Sequence, residues 1–452
     1  MLEIQLPKAV KTIIQTIEQA GFEAYAVGGC VRDSILGRVP DDWDITTSAK
    51  PEEVKALFSH TVDTGIQHGT VTVLMRKECY EVTTYRIDGE YEDSRHPKEV
   101  NFTSLLSEDL RRRDFTINAM AYNERNGLVD LFGGQEDLKA GIIRCVGDAE
   151  ERFSEDALRI MRAVRFSAQL GYYIEEQTEQ AIRKLAYTLD RISVERIQVE
   201  LVKLLVSDHP QYIEKLYELG LTKVFLPEFD IMMHTPQNNP HHLYSVGMHT
   251  IVAMTAVPAN KILRLTMLLH DVGKPATRTT DEQGIDHFHG HPNLGSEMTK
   301  KILKRLRFDN DTIDRVSLLV LYHDYGNAVS ATPAFTRKLI NRVHLENFLY
   351  LLDVKRADVS AQSDLMRDTK LQKLEALRAG YQEVLDKAMC IRLKDMAVSG
   401  NDLIAAGMKS GQQIGEVLNK LLDSVLEEPE RNQKAVLLEM VKRWGYFDRT
   451  ID

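Results

Sequence analysis

The sequence predicts an α+β protein, with a mixed-sheet head followed by mostly α-helical domains, on three observations. Short β-rich runs alternate with helical ones up to about residue 145, and helical periodicity dominates from about 150 to the end. A length of 452 residues also exceeds what one core holds. The divisions read as an α/β head over 1–145, a helical segment over 146–230, a histidine-rich helical segment over 231–385, and a helical tail over 386–452. Pro227, Pro236 and Pro240 with Gln237-Asn238-Asn239 mark the boundary near 230, and Gly400, Gly407, Gly411 and Gly415 punctuate the tail.

Within the head, Val10 to Ala20 is an amphipathic helix, Ala24 to Val27 a buried strand, and a further helix starts at about Cys30. Asp44 to Thr47 is a second strand. Gly69 to Met75 and Cys79 to Tyr85 form a hairpin around Arg76-Lys77-Glu78. The bulk composition, 43% hydrophobic and 27% charged, is that of a globular protein. No apolar window reaches membrane-span length and the N-terminus lacks a leader pattern, so a cytoplasmic protein without membrane partners is expected. Cys30, Cys79, Cys145 and Cys390 show no CxxC spacing and are expected to be reduced. A net charge of −10 argues against a nonspecific nucleic-acid coat and leaves only local basic runs, Arg111 to Arg113 and Arg159, Arg162 and Arg165.

Chemistry concentrates first at Gly28-Gly29-Cys30-Val31-Arg32-Asp33, where a strand meets a helix. Such a junction offers backbone N–H groups to a phosphate, and Arg32 adds a charged partner; alone it is also a tight turn. Asp42 and Asp44 alternate by two, so both carboxylates face the same way. Their mutual repulsion is relieved either by solvent or by Mg²⁺, and Glu81 is a candidate third carboxylate on a neighbouring strand. Asp156 and Arg159 stand three apart on a predicted helix, which by default is an intrahelical ion pair.

Taken in order, Gly-Gly-x-x-Arg-Asp at 28–33, Asp-x-Asp at 42–44, Arg-Arg-Asp-Phe-Thr-Ile-Asn-Ala-Met at 112–120, Glu-Asp-Ala-Leu-Arg at 155–159 and the 192–197 segment resemble the bacterial-type (class II) tRNA nucleotidyltransferases of the polymerase β superfamily. The resemblance implies a polymerase-β-like nucleotidyltransferase head over 1–145, a nucleotide-recognition neck over 146–230 and a tRNA-binding tail over 386–452. It implies that Asp42 and Asp44, with Glu81, carry catalysis and hold Mg²⁺, and that Gly28, Gly29 and Arg32 grip the triphosphate. Arg113, Asp114 and Asn118 would fix the ribose and phosphate side of the nucleotide. Asp156 and Arg159 would read CTP and then ATP, while Arg162 and Arg165 hold phosphates. The implied reaction is untemplated CCA addition to the tRNA 3′ end, with tRNA, CTP and ATP as partners. Residues 84–97 resemble the mobile loop used to switch from C to A and favour full CCA addition; an A-adding specialist or a poly(A) polymerase shares the other motifs.

A second concentration of chemistry starts at Leu268-Leu269-His270-Asp271-Val272-Gly273-Lys274. His249 lies upstream, His287, His289 and His291 downstream, then His323 and Arg356-Ala357-Asp358. Imidazoles and carboxylates in this density suit a metal site. The order resembles the HD metal-dependent phosphohydrolases over about 240–365. The resemblance implies core ligands His249, His270, Asp271 and Asp358, with His291 and His323 as candidates for a second ion. The metal would be Mg, Mn, Ni or Fe. Among tRNA nucleotidyltransferases such a domain accompanies phosphatase or 2′,3′-cyclic phosphodiesterase activity in some members and a structural role in others. A competing expectation makes the HD site the main activity and the N-terminal half an RNA-binding module. The sequence sets no oligomeric state.

Overall fold

Four consecutive buried residues, Ala24–Val27, form β1, the strand on which the first half of the chain is built. The computed structural model describes residues 3–88, 100–327 and 329–446, and separates into two units, Met1–Pro227 and Glu228–Asp452. In the first unit α1 (Lys8–Gln19) buries Val10, Ile13, Ile14 and Ile17, a three-and-four spacing that puts one apolar stripe on the sheet. After β1 come α2 (Gly29–Ile35), β2 (Ile45–Thr47), α3 (Pro51–Leu57), β3 (Thr61–Gly65), β4 (Thr70–Met75) and β5 (Glu78–Thr84). The hairpin β6 (Arg86–Asp88) and β7 (Val100–Phe102) precedes α4 (Leu106–Arg111), β8 (Met120–Asn123) and β9 (Gly127–Asp130). The seven-stranded sheet runs β3-β4-β5-β2-β1-β8-β9. Only β2 and β5 pair in parallel, in the register Ile45 to Val82, while the other neighbours are antiparallel.

Three details refine the sequence reading. The second strand begins at Ile45, so Asp42 and Asp44 lie in the segment leading into it and not on the strand itself. The β4–β5 loop is two residues, not three: Met75 pairs with Glu78, and Arg76 and Lys77 both take positive φ, 53° and 72°. That is the backbone a two-residue hairpin demands, here met without glycine. The β8–β9 hairpin was not expected. Of the switching loop, residues 89–97 lie outside the described residues.

The rest of the first unit is helical: α5 (Gly134–Ala140), α6 (Ala149–Glu155), α7 (Leu158–Leu170), α8 (Glu176–Leu185), α9 (Val194–Leu205), α10 (Ile213–Glu218) and α11 (Thr222–Phe225), with a short parallel pair, β10 (Ile142–Ile143) and β11 (Tyr173–Ile174). The expected single helix through Asp156 and Arg159 is broken. Asp156 has extended dihedrals, φ −139° and ψ 104°, and its Oδ1 accepts the Leu158 N–H at 3.0 Å. It satisfies a donor at the start of α7 and ends α6, as aspartate does where a helix begins.

The α12 helix (Pro227–His234) leads into the second unit: α13 (Val246–Thr255), α14 (Lys261–Leu269), α15 (Lys274–Thr277), the pair β12 (Thr279–Thr280) and β13 (Asp286–His287), α16 (His291–Arg305), α17 (Asn310–Tyr322), α18 (Pro333–Val343), α19 (Leu345–Ser360) and α20 (Arg367–Asp386). The tail is α21 (Gly400–Ala405), α22 (Gln413–Glu427) and α23 (Lys434–Arg443). Side-chain caps set several starts: Asn260 accepts the Ile262 and Leu263 N–H groups, and Asp309 that of Thr312. Among the described residues no helix is long and apolar enough to cross a membrane.

Candidate functional site

In the first unit the parallel pairing of β2 with β5 sets Asp44 beside Glu81, one residue before the Ile45 to Val82 register. Among the described residues no donor hydrogen-bonds the side chains of Asp42, Asp44 or Glu81. Asp44 is reached by solvent yet crowded by protein. Burial, with Asp42 and Glu81 adding repulsion, outweighs Arg113 and pushes its carboxyl up to about 6. Three carboxylates short of donors and of positive charge suit a divalent cation.

Around them runs one network. Gly28 takes φ 82°, a backbone that favours glycine, and a Cβ there would stand 3.0 Å from Arg113 Nη1 and push that guanidinium aside. Arg113 Nη2 reaches Asp109 Oδ2 at 3.4 Å, while its Nε is buried without a hydrogen-bond partner. Arg32 is buried. It grips Asp33 with two parallel bonds, 2.9 and 2.8 Å, and donates through Nη1 to Asn118 Oδ1 at 2.7 Å. Asn118 donates to Asp114 Oδ1 at 3.2 Å, and Arg162 clamps Asp114 Oδ2 through Nε and Nη2 at 2.7 and 2.6 Å. Burial alone would raise the Asp114 carboxyl, but Arg162, Arg159 and the Asn118 amide together hold it down at about 2. The guanidinium carbons of Arg32, Arg162 and Arg165 lie 5.1, 5.3 and 3.6 Å from the centre of the Phe166 ring. Residues expected from three separate motifs are thus gathered by α2, α7 and the segment before β8.

Asp156 and Arg159 do not make the default intrahelical pair. Asp156 Oδ2 takes Arg196 Nη2 from α9 at 2.8 Å. Arg159 donates to Glu155 Oε2 at 2.5 Å and to the Arg152 and Arg112 carbonyls at 3.0 and 2.9 Å. Arg196 was given no role from sequence. Its partner lies 40 positions away, and its Nη1 is buried with no hydrogen-bond partner. Arg165 sits in a buried pair with Glu200 at 2.6 Å and donates to Gln169, tying α7 to α9. A cavity of about 580 Å³ opens beside Gly29, Arg32 and Asp42, with Arg38 and Lys203 on its wall.

In the second unit helix ends and helix faces aim six side chains at one point. His249 comes from α13, His270 and Asp271 follow α14, His291 opens α16, His323 closes α17, and Asp358 lies on α19. All six are buried, and they form two groups, His249-His270-Asp358 and Asp271-His291-His323, in each of which the ligand atoms fall within 4.8 Å of one another. Asp271 serves both: Oδ2 is 3.2 and 3.6 Å from the Nε2 atoms of His270 and His249, and Oδ1 is 3.5 and 3.6 Å from those of His291 and His323.

The hydrogen bonds fix the tautomers. Each Nδ1 faces a backbone carbonyl: Ala361 at 3.3 Å for His249, Met267 at 2.8 Å for His270, Phe288 at 2.8 Å for His291 and Val320 at 2.7 Å for His323. A carbonyl only accepts, so each Nδ1 carries a proton, and the lone pair of the ring in its metal-binding form is the one on Nε2, which points inward. Those lone pairs meet acceptors. His291 and His323 set Nε2 against Nε2 at 3.3 Å, and the buried Nε2 of His270 has no hydrogen-bond partner. A cation between them removes the conflict, so the donor set fits a bound metal. Lys274 Nζ stands 2.7 Å from Asp271 Oδ2 and 2.7 Å from Gln237 Oε1.

Known proteins resemble the chain throughout. Residues 24–144 match the family "Poly A polymerase head domain", 171–233 "Probable RNA and SrmB-binding site of polymerase A", and 277–441 "tRNA nucleotidyltransferase domain 2". The CCA-adding enzyme of Lactiplantibacillus plantarum is 58% identical over 213 residues, 46% of this chain and about half (52%) of that protein. That of Lactobacillus helveticus is 36% identical over 93% of both chains. The crystal structure of the Bacillus stearothermophilus CCA-adding enzyme in complex with CTP is 31% identical, covers 98% of this chain and 99% of its own, and superposes with a TM-score of 0.73.

Proposed function

The chain belongs to the family of CCA-adding enzymes, and from that premise we propose that it adds C, C and A to the 3′ end of tRNA from CTP and ATP. The reaction uses no nucleic-acid template and releases pyrophosphate. The observation that carries this reading is the likeness to CCA-adding enzymes along the whole chain, 36% identity over 93% of it and 31% over 98%. A cytoplasmic location accompanies these substrates. We keep the four-part division 1–145, 146–230, 231–385 and 386–452 as part of the proposal.

Asp42, Asp44 and Glu81 would hold Mg²⁺, which when bound makes the 3′ hydroxyl a better nucleophile and neutralises the triphosphate. Gly28 lets the backbone come close, and Arg32 and Arg113 supply positive charge toward the phosphates. Asn118 and Asp114 orient Arg32 and Arg162 through the bonds described above. Asp156, held by Arg196, accepts from an exocyclic amine of the base, and Arg159, fixed by Glu155 and two carbonyls, donates to its ring edge. The Arg165 pair with Glu200 favours a role in joining α7 to α9 over direct phosphate contact. Incubating the protein with Mg²⁺, labelled CTP and ATP, and tRNA lacking its CCA end should extend the tRNA by three nucleotides. Extension of only a CC-ended tRNA identifies an A-adding enzyme, and no incorporation sinks the reading.

The inward lone pairs of His249, His270, His291 and His323 favour a second reading for the second unit, that of an HD-type metal-dependent phosphohydrolase. His249, His270 and Asp358 would hold one divalent ion, His291 and His323 a second, and Asp271 would bridge them, with Mg, Mn, Ni or Fe as candidates. Manganese-dependent release of phosphate, abolished by His270→Ala with nucleotidyl transfer unchanged, is the expected result. Its absence with every divalent metal tried leaves the centre structural.

A further inference from the structure

His287 and His289, like His242, join neither ligand group, and their rings stack with centroids 5.6 Å apart and planes 5° from parallel. They stand on the wall of a cavity of about 300 Å³ that also touches Asp271, His291, His323 and Asp358. One ring of the pair is fixed: His287 Nε2 lies 2.7 Å from Asp281 Oδ2, and Asp281 Oδ1 accepts the N–H groups of Gln283 and Ile285. The strand beneath is anchored too. Asp286 is buried and accepts from the Asn238 N–H, the Thr280 hydroxyl and Arg278. His289 remains exposed.

The pair is also tied to the ligands. The carbonyl of Phe288, the residue between the two histidines in the chain, is the acceptor that orients His291. His289 and His291 are two residues apart, a backbone reach of at most about 7 Å. The stacked pair and the ligand groups therefore line one cavity, as the base and the phosphate of a single nucleotide would require. Imidazole faces are among the surfaces on which bases stack.

Resting on the phosphohydrolase reading above, we propose that His287 and His289 are what selects nucleotides among the phosphate esters this centre could take: the base stacks on the pair while Lys274 faces the phosphate. In its hydrolysis the oxygen of water bonds to phosphorus and the bond from phosphorus to the ribose oxygen breaks. One water hydrogen stays on the phosphate product and the other ends on the ribose hydroxyl. His287 and His289 touch the base and take no part in bond making.

The test uses the full chain loaded with Mn²⁺ and the 3′-monophosphate of 2-aminopurine riboside, whose fluorescence is quenched by stacking. Inorganic phosphate and glycerol phosphate serve as ligands without a base. His289→Ala should weaken binding of the fluorescent nucleotide about tenfold and remove its quench, and His289→Phe should restore both. In hydrolysis His289→Ala should raise KM for the nucleotide at unchanged kcat and leave glycerol phosphate unaffected. Equal losses for nucleotide and glycerol phosphate, or no loss for either, overturn the stacking platform while the phosphohydrolase reading stands. If the wild type neither hydrolyses glycerol phosphate nor broadens the ³¹P signal of inorganic phosphate in a way that Asp271→Ala abolishes, that reading fails and this one with it.

Discussion

The cleft around Asp44 and the histidine–aspartate centre both gather carboxylates, but by opposite means. Near Asp44 the positive side chains are anchored to the protein: Arg32 by Asp33 and Asn118, Arg162 by Asp114, Arg159 by Glu155. The carboxylates themselves are exposed, without hydrogen-bond donors among the described residues. In the second unit the ligands are buried and each imidazole is aimed by a backbone carbonyl. On the reading proposed above, the first arrangement would let ions arrive with a substrate and leave with pyrophosphate, and the second would suit ions that stay. Preorganisation is spent on the cations in one site and on the ligands in the other.

The strongest way to break this contrast is Asp44→Ala. It should cut nucleotidyl transfer on the order of 10³-fold and leave the metal content of the second unit untouched. A variant that loses both would show that the two sites are not independent. Second in size is the metal count of the histidine–aspartate centre after loading and desalting. Asp271→Ala, which removes the residue facing both ligand groups, should lose both ions, whereas His323→Ala should lose one. Equal losses would mean that Asp271 does not bridge, and transfer should be unchanged in either variant.

How far these sites could be read in the sequence follows the same division. Ala24–Val27 and the hairpin from 69 to 85 were legible because apolar runs and alternation are local signals, and the six side chains that converge in the second unit were named through the resemblance to HD phosphohydrolases. The β8–β9 hairpin was not, since Met120-Ala121-Tyr122-Asn123 lacks a β-branched run and is a strand because β1 offers it an edge. The break at Asp156 was hidden because the flanking periodicity is helical on both sides. The link from Arg196 to Asp156 joins residues 40 apart and has no sequence signal at all. Nor does spacing disclose which carbonyl orients each imidazole, and that orientation is what makes the group fit a metal.

Arg196 gives a medium-sized test of anchoring in the first unit. Arg196→Ala leaves the Asp156 carboxylate held only by the Leu158 N–H, so discrimination of CTP over UTP should fall roughly 10- to 100-fold, the range of a base-reading contact. Arg196→Lys keeps the charge but loses the planar fork, and should fall in between. If kcat/KM drops equally for both nucleotides, Arg196 holds the fold and not the base.

The smallest expected effect separates exposed carboxylates from anchored ones by pH. Burial, Asp42 and Glu81 raise the Asp44 carboxyl from its ordinary 3.8 to about 6. The raised value means that a proton competes with Mg²⁺ in a range where an ordinary aspartate would be ionised. At limiting Mg²⁺, single-turnover transfer should therefore be full above about pH 7 and fall as pH drops through 6, and a tenfold increase in Mg²⁺ should move the midpoint down by up to about one unit. Glu81→Gln removes one source of repulsion and should also lower the midpoint of whatever transfer it retains. Asp114, held at about 2 by Arg162, Arg159 and Asn118, keeps its charge across this whole range, so the anchored guanidinium network contributes no inflection. A profile flat from pH 7 to 5 at limiting Mg²⁺ would show that Asp44 is already neutralised by a tightly held ion, which would make the two sites alike.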